Sequence, residues 1–146
     1  MKVVWIIDNK FRELYGLYDL KKNLSNNGIK LFLFYIPLWK TAIDLINPNI
    51  IVVPNLWHTS CEPIVKYAEK KKIDIFMHSS EGMYYSDKIQ KSKYPTHLVK
   101  KVKKILVWGK NDAKYLVKKG FKNKIVMYMK NIEYYGNTTA ATLPLL

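Results

Sequence analysis

The sequence contains a single cysteine, Cys61, among its 146 residues. One cysteine excludes an intramolecular disulfide framework and favours a protein that folds in a reducing cytoplasm. Hydrophobic residues make up 49% of the chain, and a chain of this length can bury a core without disulfides or structural metals. The composition therefore predicts one globular domain in the cytoplasm.

Long apolar runs are also missing. None approaches the ~18 residues that a membrane-spanning helix needs. The first residues, MKVVWIIDNKFREL, hold too short an apolar run, with charges too early, for a secretory signal. We therefore expect no spanning segment, although contact with the inner face of a membrane stays open.

Acidic residues are scarce, with 11 against 25 basic ones and a net charge of +14. Lysines cluster in KKK at 70–72 and in KSKYPTHLVKKVKK at 91–104. Such charge attracts phosphate-rich partners, namely nucleic acid, anionic lipid or nucleotide-linked substrates, although a general preference for lysine explains the clusters equally well. We expect the lysine-rich segment 88–104 to face an anionic membrane surface.

Several cofactor motifs are absent. No G-x-G-x-x-G follows the first apolar run, and the chain has no P-loop. The third run ends in VVPN, whereas a phosphoacceptor receiver needs an aspartate there. No histidines and cysteines have the spacing of metal ligands. We therefore predict neither a metal nor another cofactor.

Six short apolar runs recur along the chain. They lie at 3–8, 29–36, 49–55, 73–79, 104–109 and 124–129. Most are continuously apolar and rich in β-branched or aromatic residues, which is typical of strands buried on both faces of a parallel sheet. Because helical segments alternate with them, the pattern predicts an α/β fold with a Rossmann-like, doubly wound parallel sheet.

Helix signals lie between the runs. Leucines at 17, 20 and 24 have helical spacing, and Gly28 follows as a stop. Pro63 suits the first turn of a second helix. A short helix is predicted over 41–46. Asn111 or Asp112 is the expected cap of a helix that Gly120 ends. Residues 82–100 show no clear periodicity and are predicted to form a long loop.

Polar residues stand directly behind four of the runs. Ligands of open parallel sheets bind outside the carboxyl ends of the strands, so these residues are the candidates for a site. The sets are Asp8, Asn9, Arg12 and Glu13; Asn55, Trp57, His58 and Thr59; His78, Ser79, Ser80 and Glu81; and Trp108, Gly109, Lys110 and Asn111. Plainer roles compete, because Asp8 and Asn9 could cap a helix, Arg12 and Glu13 could pair, and Ser79 and Ser80 could cap a turn. Glu81 has the strongest functional case, since the SSEG stretch is not needed for a simple strand exit.

Four stretches carry a family resemblance. They are VVWIIDNKFRELYGLYDLKKNLSNNGIKL, NPNIIVVPNLW, IDIFMHSSEGMYYSD and KILVWGKNDAKYLVKKGFKNKIV, with SEGM and WGKNDAKYL the most specific parts. Over residues 2–126 the chain resembles the N-terminal half of GT-B-type glycosyltransferases of bacterial surface-carbohydrate biosynthesis. It is similar in layout to the CDP-glycerol glycerophosphotransferase and capsule Kdo-transferase group.

The resemblance implies a Rossmann-like acceptor domain over residues 1–130, which acts on a carbohydrate or lipid-linked acceptor. It implies that a nucleotide-sugar donor binds only through a C-terminal domain that this sequence does not include. Glu81 would be the general base, and Ser80, Gly82, Trp108, Gly109 and Lys110 would line the interdomain cleft.

The last residues, 131–146, depart from that family. The stretch YGNTTAATLPL resembles a segment of ketoacyl synthase III, in which Asn137 would help to build an oxyanion site. A credible cysteine–histidine pair is missing, so we assign no thioester chemistry. We interpret the tail as coincidence or as a truncation or fusion junction.

Two other classes of function fit the same residues. One is a non-catalytic Rossmann-like binding module or remnant. The other is a basic nucleic-acid binder, which ranks lowest because the chain has no known binding motif and no basic, aromatic strand face. We therefore expect no nucleic-acid partner.

Overall fold

The computed structural model describes residues 1–56, 61–79, 87–107 and 109–127, apart from the side chains of residues 10, 12, 15, 87, 88 and 127. Its six strands are β1 (Lys2–Ile7), β2 (Lys30–Tyr35), β3 (Ile50–Val53), β4 (Asp74–His78), β5 (Lys104–Val107) and β6 (Ile125–Met127). All neighbouring strands pair in parallel, in the order β2-β1-β3-β4-β5-β6. The predicted parallel α/β fold is confirmed.

Six α-helices connect the strands in the described part of the chain. They are α1 (Lys10–Asn26), α2 (Trp39–Ile46), α3 (Cys61–Lys70), α4 (Asp87–Lys93), α5 (Thr96–Val99) and α6 (Lys110–Lys118). Helix α1 ends before Gly28 and α6 before Gly120, and both glycines have positive φ angles of 71° and 83°. Glycine adopts this left-handed conformation without steric cost, so both predicted stops are confirmed.

The two faces of the sheet bury different helices. Trp5 and Ile7 of β1 pack with Leu17 of α1 on one face. Val4 and Ile6 of the same strand join the core that α2, α3, α5 and α6 cover on the other face. This division follows from right-handed crossovers, because α1 leads to a strand on one side of β1 while the later helices lead to strands on the other. Burying a side chain such as Ile6 fully contributes about 1.5–3 kcal/mol.

Strand β1 is the second strand of the sheet, with the edge strand β2 on one side and β3 on the other. The middle pair of the sheet is β3 and β4. The burial pattern explains the apolar runs, since Ile50 to Val53 are all buried and successive residues enter opposite cores.

Two predictions of local structure were wrong. The segment 82–100 is not one loop, because it contains α4 and α5 with Pro95 between them as the N-cap of α5. Helix α6 begins one or two residues before the predicted cap, with Gly109 at its N-cap. Asp112 therefore lies inside the first turn, where its carboxylate is available for a tertiary contact.

The described helices are all too short or too polar to cross a lipid bilayer. Residues 128–146 lie outside the described part of the chain, so the predicted domain boundary at 130 stays a prediction.

Candidate functional site at the carboxyl edge of the sheet

Buried polar side chains are concentrated at the carboxyl edge of the sheet, where the strands end. Within the described part of the chain they are Glu13, Asn55, Ser79, Gln90, Lys93 and Asp112. Asn55 and Ser79 come just after β3 and β4, Glu13 and Asp112 lie in the first turns of α1 and α6, and Lys93 pairs with Asp112. Burial of a polar group is costly unless it is satisfied, so this edge is the place to look for a function.

The carboxyl ends of β1 and β3 form the topological switch point of the sheet. The two strands are neighbours, but the chain leaves β1 toward β2 and leaves β3 toward β4 on the other side. The connections diverge, with α1 on one face and α3 on the other, and such divergence opens a crevice that binds ligands in this class of sheet. We call the residues at its rim, Asp8, Asn9, Glu13 and Asn55, the switch-point crevice.

The Asn9 side chain caps helix α1 at this crevice. Its Oδ1 accepts a hydrogen bond from the Phe11 N–H at 3.1 Å, and its own N–H donates to Glu13 Oε1 at 3.3 Å. This reciprocal arrangement satisfies amide groups that a helix start would leave unpaired. The capping role considered for Asn9 is therefore confirmed, and Glu13 bonds to the backbone of Asn9.

Asn55 is the buried polar group at the end of β3. The residue is 9% exposed, and its Oδ1 has no hydrogen-bond partner among the described residues. A buried acceptor without a partner costs about 1–3 kcal/mol, and native proteins contain few of them. Its place at the switch point makes it the best candidate for a ligand-binding group.

The end of β4 fixes His78 and Ser79. The His78 ring packs at 5.1 Å between centroids against the indole of Trp5 in β1. Ser79 is fully buried, and its N–H donates to the Leu106 carbonyl of β5 at 3.1 Å. Ser79 therefore extends the hydrogen-bond ladder between β4 and β5 by one residue. This bond explains why its backbone N–H can be buried, and it places the side-chain hydroxyl at the carboxyl edge of the sheet.

A buried ion pair links α4 to α6 beside Ser79. The Lys93 Nζ lies 3.0 Å from Asp112 Oδ2, with the two side chains only 4% and 6% exposed. The carboxylate also sits in the first turn of α6, where the helix dipole favours negative charge. Each charge makes the burial of the other tolerable, so the pair fixes the relative position of the two helices.

Tyr94 completes this cluster. Burial of its ring raises the pKa of the phenol well above its ordinary value, and the nearby Asp112 carboxylate raises it further, while the Ser79 hydroxyl acts in the opposite direction. The ring also stacks on Tyr115 of α6, with centroids 6.1 Å apart. The phenol therefore stays protonated at neutral pH and is a hydrogen-bond donor, not a base.

Gly109 and the exposed Lys110 begin α6 at the end of β5. Three strand spacings separate this end from that of β1, which corresponds to about 14 Å. A single side chain cannot bridge that distance. A ligand that contacts both Asp8 and Lys110 would have to be at least the length of a disaccharide or a nucleotide.

The predicted site residues divide into two groups. Asp8, Asn9, Ser79, Gly109 and Lys110 lie at the carboxyl edge, as expected. Ser80, Glu81, Gly82 and Trp108, together with the side chain of Arg12, lie outside the described residues.

Three residues of the edge were absent from the predicted candidates, namely Lys93, Tyr94 and Asp112 of the buried cluster, whereas Asn55 was among them. Asn55 carried a usable signal, because it follows a buried strand directly. Lys93 carried none, since a lysine in a basic, polar segment gives no sign that it is buried. Within the described residues no three histidine, cysteine or carboxylate side chains are grouped as a metal site would require.

Comparison with known proteins gives matches of fold. No protein-family model and no curated protein matches the sequence. Among solved structures, the UDP-GlcNAc 2-epimerase of Methanocaldococcus jannaschii matches 88% of this chain at a TM-score of 0.64 and 13% identity. A solute-binding protein of an ABC transporter from Clostridium phytofermentans, with β-D-glucose bound, matches 82% at a TM-score of 0.53 and 15% identity.

The chain spans 45% of the epimerase and 37% of the solute-binding protein. At these identities the matches show the fold alone. They place the chain among GT-B-like Rossmann folds, with the size of one half of such a protein. They do not show membership of the surface-carbohydrate glycosyltransferases that the sequence resembles.

Proposed function

We propose that the chain is the acceptor-binding domain of a glycosyltransferase of surface-polysaccharide biosynthesis. In this proposal it binds a carbohydrate, free or lipid-linked, and acts with a second domain that holds the nucleotide-sugar donor. The sequence resemblance supports this assignment, and the GT-B-like fold is consistent with it. The two structural neighbours also support it, since one is a UDP-GlcNAc 2-epimerase and the other a solute-binding protein with β-D-glucose bound.

The single observation that carries the proposal is the buried, unpartnered Oδ1 of Asn55 at the switch point. Sugar hydroxyls donate hydrogen bonds, and amide and carboxylate oxygens are the acceptors that suit them. Asp8, half-buried at the end of the neighbouring strand, offers a second acceptor group. An acceptor sugar at this crevice would satisfy Asn55 and recover the cost of burying it.

Catalysis is assigned to Glu81 in this proposal, on the resemblance. A carboxylate beyond the end of β4 would accept the proton of an acceptor hydroxyl as that oxygen attacks the donor sugar. With a donor domain supplied, Glu81→Gln should lower turnover by a factor of ~10² to 10⁴ while the melting temperature stays unchanged. A lower melting temperature with normal turnover per folded molecule would assign Glu81 a structural role instead.

Binding to the crevice is tested by calorimetry with D-glucose, N-acetylglucosamine and UDP-N-acetylglucosamine. Asn55→Ala should weaken the binding of whichever sugar binds by about fivefold to tenfold, the equivalent of one hydrogen bond. Asn123→Ala, which removes an exposed asparagine at the opposite edge, is the matched control and should have no effect. Equal effects of the two variants, or no binding by the unaltered chain at millimolar sugar, would contradict the proposal.

The second candidate is a non-catalytic carbohydrate-binding module. The glucose-bound neighbour with its similar fold favours it. It predicts the same response to Asn55→Ala but no sugar transfer when a donor domain and a nucleotide sugar are added. The transfer assay therefore separates the two candidates.

A further inference from the structure

Lysines crowd the amino edge of the sheet, opposite the candidate site. Lys2 and Lys30 are the first residues of β1 and β2. The other members of this set end a helix or precede a strand at the same edge: Lys70, Lys71, Lys72, Lys100, Lys101, Lys103, Lys104, Lys122 and Lys124. A large part of the net charge of +14 is therefore on one side of the molecule. We call this set the amino-edge lysines.

Local partners account for some of these lysines. Lys71 pairs with Asp44 at 3.0 Å, Lys103 with Asp74 at 2.6 Å, and Lys101 with Glu69. These are the acids found at this edge in the described part of the chain, and each already has a lysine partner. The pKa of the exposed Asp44 carboxyl is lowered by hydrogen bonds from Tyr67 and Lys71, so it stays ionised and paired.

Backbone carbonyls hold a second group. Lys2 Nζ donates to the Ile46 carbonyl at 3.0 Å, Lys104 Nζ to Asn123 at 3.2 Å, and Lys124 Nζ to Lys100 at 3.0 Å. The helices end at this edge, where unpaired carbonyls and the negative end of each helix dipole favour cations. These lysines therefore have a structural role.

A third group has no such explanation. Lys30, Lys70, Lys72, Lys100 and Lys122 are exposed, and none forms a side-chain ion pair or hydrogen bond with another described residue. Lys30 is also the register partner of Lys2 on the adjacent strand. Like charges on adjacent strands repel one another, so the folded chain keeps this charge at a cost.

Lys72 is also kept at a cost, which in this case is conformational. It has a φ of 58°, in the left-handed region. The corresponding turns after α1, α2 and α6 place Gly28, Asn47 and Gly120 in that region, and these are the residue types that tolerate it. A lysine is unfavourable there by about 1 kcal/mol or more, so the position is conformationally suited to glycine but carries a charge.

We propose that the amino edge is a docking surface for a membrane rich in anionic phospholipid. Lipid headgroups form a flat layer of negative charge that exposed lysines meet without specific geometry. Nucleic-acid recognition would favour arginine forks and aromatic platforms. The chain has one arginine, Arg12, and the large aromatic side chains exposed in the described residues, Phe11, Tyr18 and Tyr35, lie on α1 or at the end of β2.

The proposed orientation leaves the candidate site free. The six residues of β1 span about 20 Å, so the carboxyl edge faces away from a bilayer that the amino edge contacts. A lipid-linked acceptor would have to extend over that distance, so this orientation favours a long or free carbohydrate. That distance exceeds the Debye length of about 8 Å at physiological salt. Removing amino-edge charge should therefore leave sugar binding at the carboxyl edge unchanged, and the two proposals can fail independently.

The test is flotation with vesicles of phosphatidylcholine that contain 30% phosphatidylglycerol, as a typical anionic composition. The unaltered chain should float at low salt and be released at high salt. The triple variant Lys30→Gln/Lys72→Gln/Lys100→Gln should bind about 100-fold more weakly, at about fivefold for each lysine. Its matched control, Lys40→Gln/Lys91→Gln/Lys114→Gln, removes the same charge from exposed lysines away from the amino edge and should lose far less. Because Lys91 belongs to the segment 88–104, this control also separates the amino edge from the membrane contact expected for that whole segment.

Lys72→Gly makes the test independent of folding. Because glycine suits the left-handed conformation, this variant should unfold at a higher temperature while binding vesicles about fivefold more weakly. Three results would overturn the proposal: equal losses in the two triple variants, equal binding to pure phosphatidylcholine, or salt-sensitive binding of single-stranded RNA without binding to the anionic vesicles.

Discussion

The two edges of the sheet use polar residues in opposite ways. At the carboxyl edge a small number of polar side chains are buried, and Lys93 and Asp112 pair at 4% and 6% exposure. At the amino edge polar side chains are abundant and solvated, and Lys103 and Asp74 pair at 59% and 46% exposure. An exposed charge costs almost nothing, whereas a buried one must be compensated. Charge is therefore abundant at the edge where it is solvated and scarce at the edge where it is buried.

Helix direction explains part of this difference. The crossovers through α1, α2, α3 and α6 place helix starts at the carboxyl edge and helix ends at the amino edge. Helix starts favour anions and oxygen ligands, and helix ends favour cations. Lys2, Lys104 and Lys124, which bond to backbone carbonyls, follow this rule. Helix direction does not explain Asn55 at the carboxyl edge, because no described group donates a hydrogen bond to its Oδ1.

The largest expected difference between the edges concerns their ion pairs. Lys93→Ala should lower the free energy of unfolding by about 3–5 kcal/mol, because it leaves the Asp112 carboxylate buried without a counter-charge. Lys103→Ala, in the exposed pair, should lower it by no more than about 1 kcal/mol. Urea denaturation of the two variants measures both values.

Replacing both members of the buried pair sharpens the same test. The double variant Lys93→Met/Asp112→Leu should recover most of the loss, since apolar residues of similar size often replace a buried pair without cost. If Lys93→Ala is as mild as Lys103→Ala, the pair is not buried in solution and the contrast between the edges fails.

Alkaline pH should destabilise the carboxyl edge specifically, because the buried phenol of Tyr94 lies there. Its pKa is raised in the folded state, first by burial and then by Asp112, so the folded chain holds the proton more tightly than the unfolded one. Protonated Tyr94 contributes fully to the free energy of unfolding at pH values below about 10, which is the pKa of the phenol in the unfolded chain. Above that pH the contribution declines by about 1.4 kcal/mol for each pH unit. Urea denaturation of the unaltered chain at pH values from 9 to 11.5 should show this decline in the free energy of unfolding.

Tyr94→Phe is the control for that titration, because it removes the phenol and keeps the ring. The free energy of unfolding of the unaltered chain, minus that of Tyr94→Phe, should fall as the pH rises above 10. A difference that stays constant over the whole range would mean that Tyr94 is not buried beside Asp112.

The smallest expected effects concern two helix ends of the amino edge. Gly120→Ala should destabilise the chain by about 1 kcal/mol, for conformational reasons alone, because a Cβ there meets no atom within 4 Å. Lys72→Gly should stabilise it by a similar amount, since φ is positive at both positions. Thermal denaturation checks the opposite signs, and a destabilising Lys72→Gly would remove the argument that this lysine is kept at a conformational cost.

The sequence was informative about the sheet because its strands are buried on both faces. Runs such as IIVV at β3 have no polar interruption, so all six strands were predicted within two residues of their observed ends. Helices α4 and α5 were missed because Pro95 divides them and their apolar residues, among them Leu98 and Val99, are too sparse to show a period.

The candidate site was predictable only in part. Polar residues behind apolar runs indicated the carboxyl edge, since that inference needs no knowledge of which strands are neighbours. The switch point required the strand order, because β1 and β3 are adjacent in space but separated by β2 in sequence. The pair of Lys93 and Asp112 depends on two helices meeting, and no local pattern encodes that contact.

The measurement that tests the central claim most directly is an amide chemical-shift titration of the ¹⁵N-labelled chain with N-acetylglucosamine, D-glucose and UDP-N-acetylglucosamine. The claim that the switch-point crevice binds carbohydrate predicts shifts at Asp8, Asn9 and Asn55, while Lys30, Lys72 and Lys122 at the amino edge stay unchanged. Shifts confined to the amino edge, or none at the crevice at saturating concentrations of all three compounds, would contradict it.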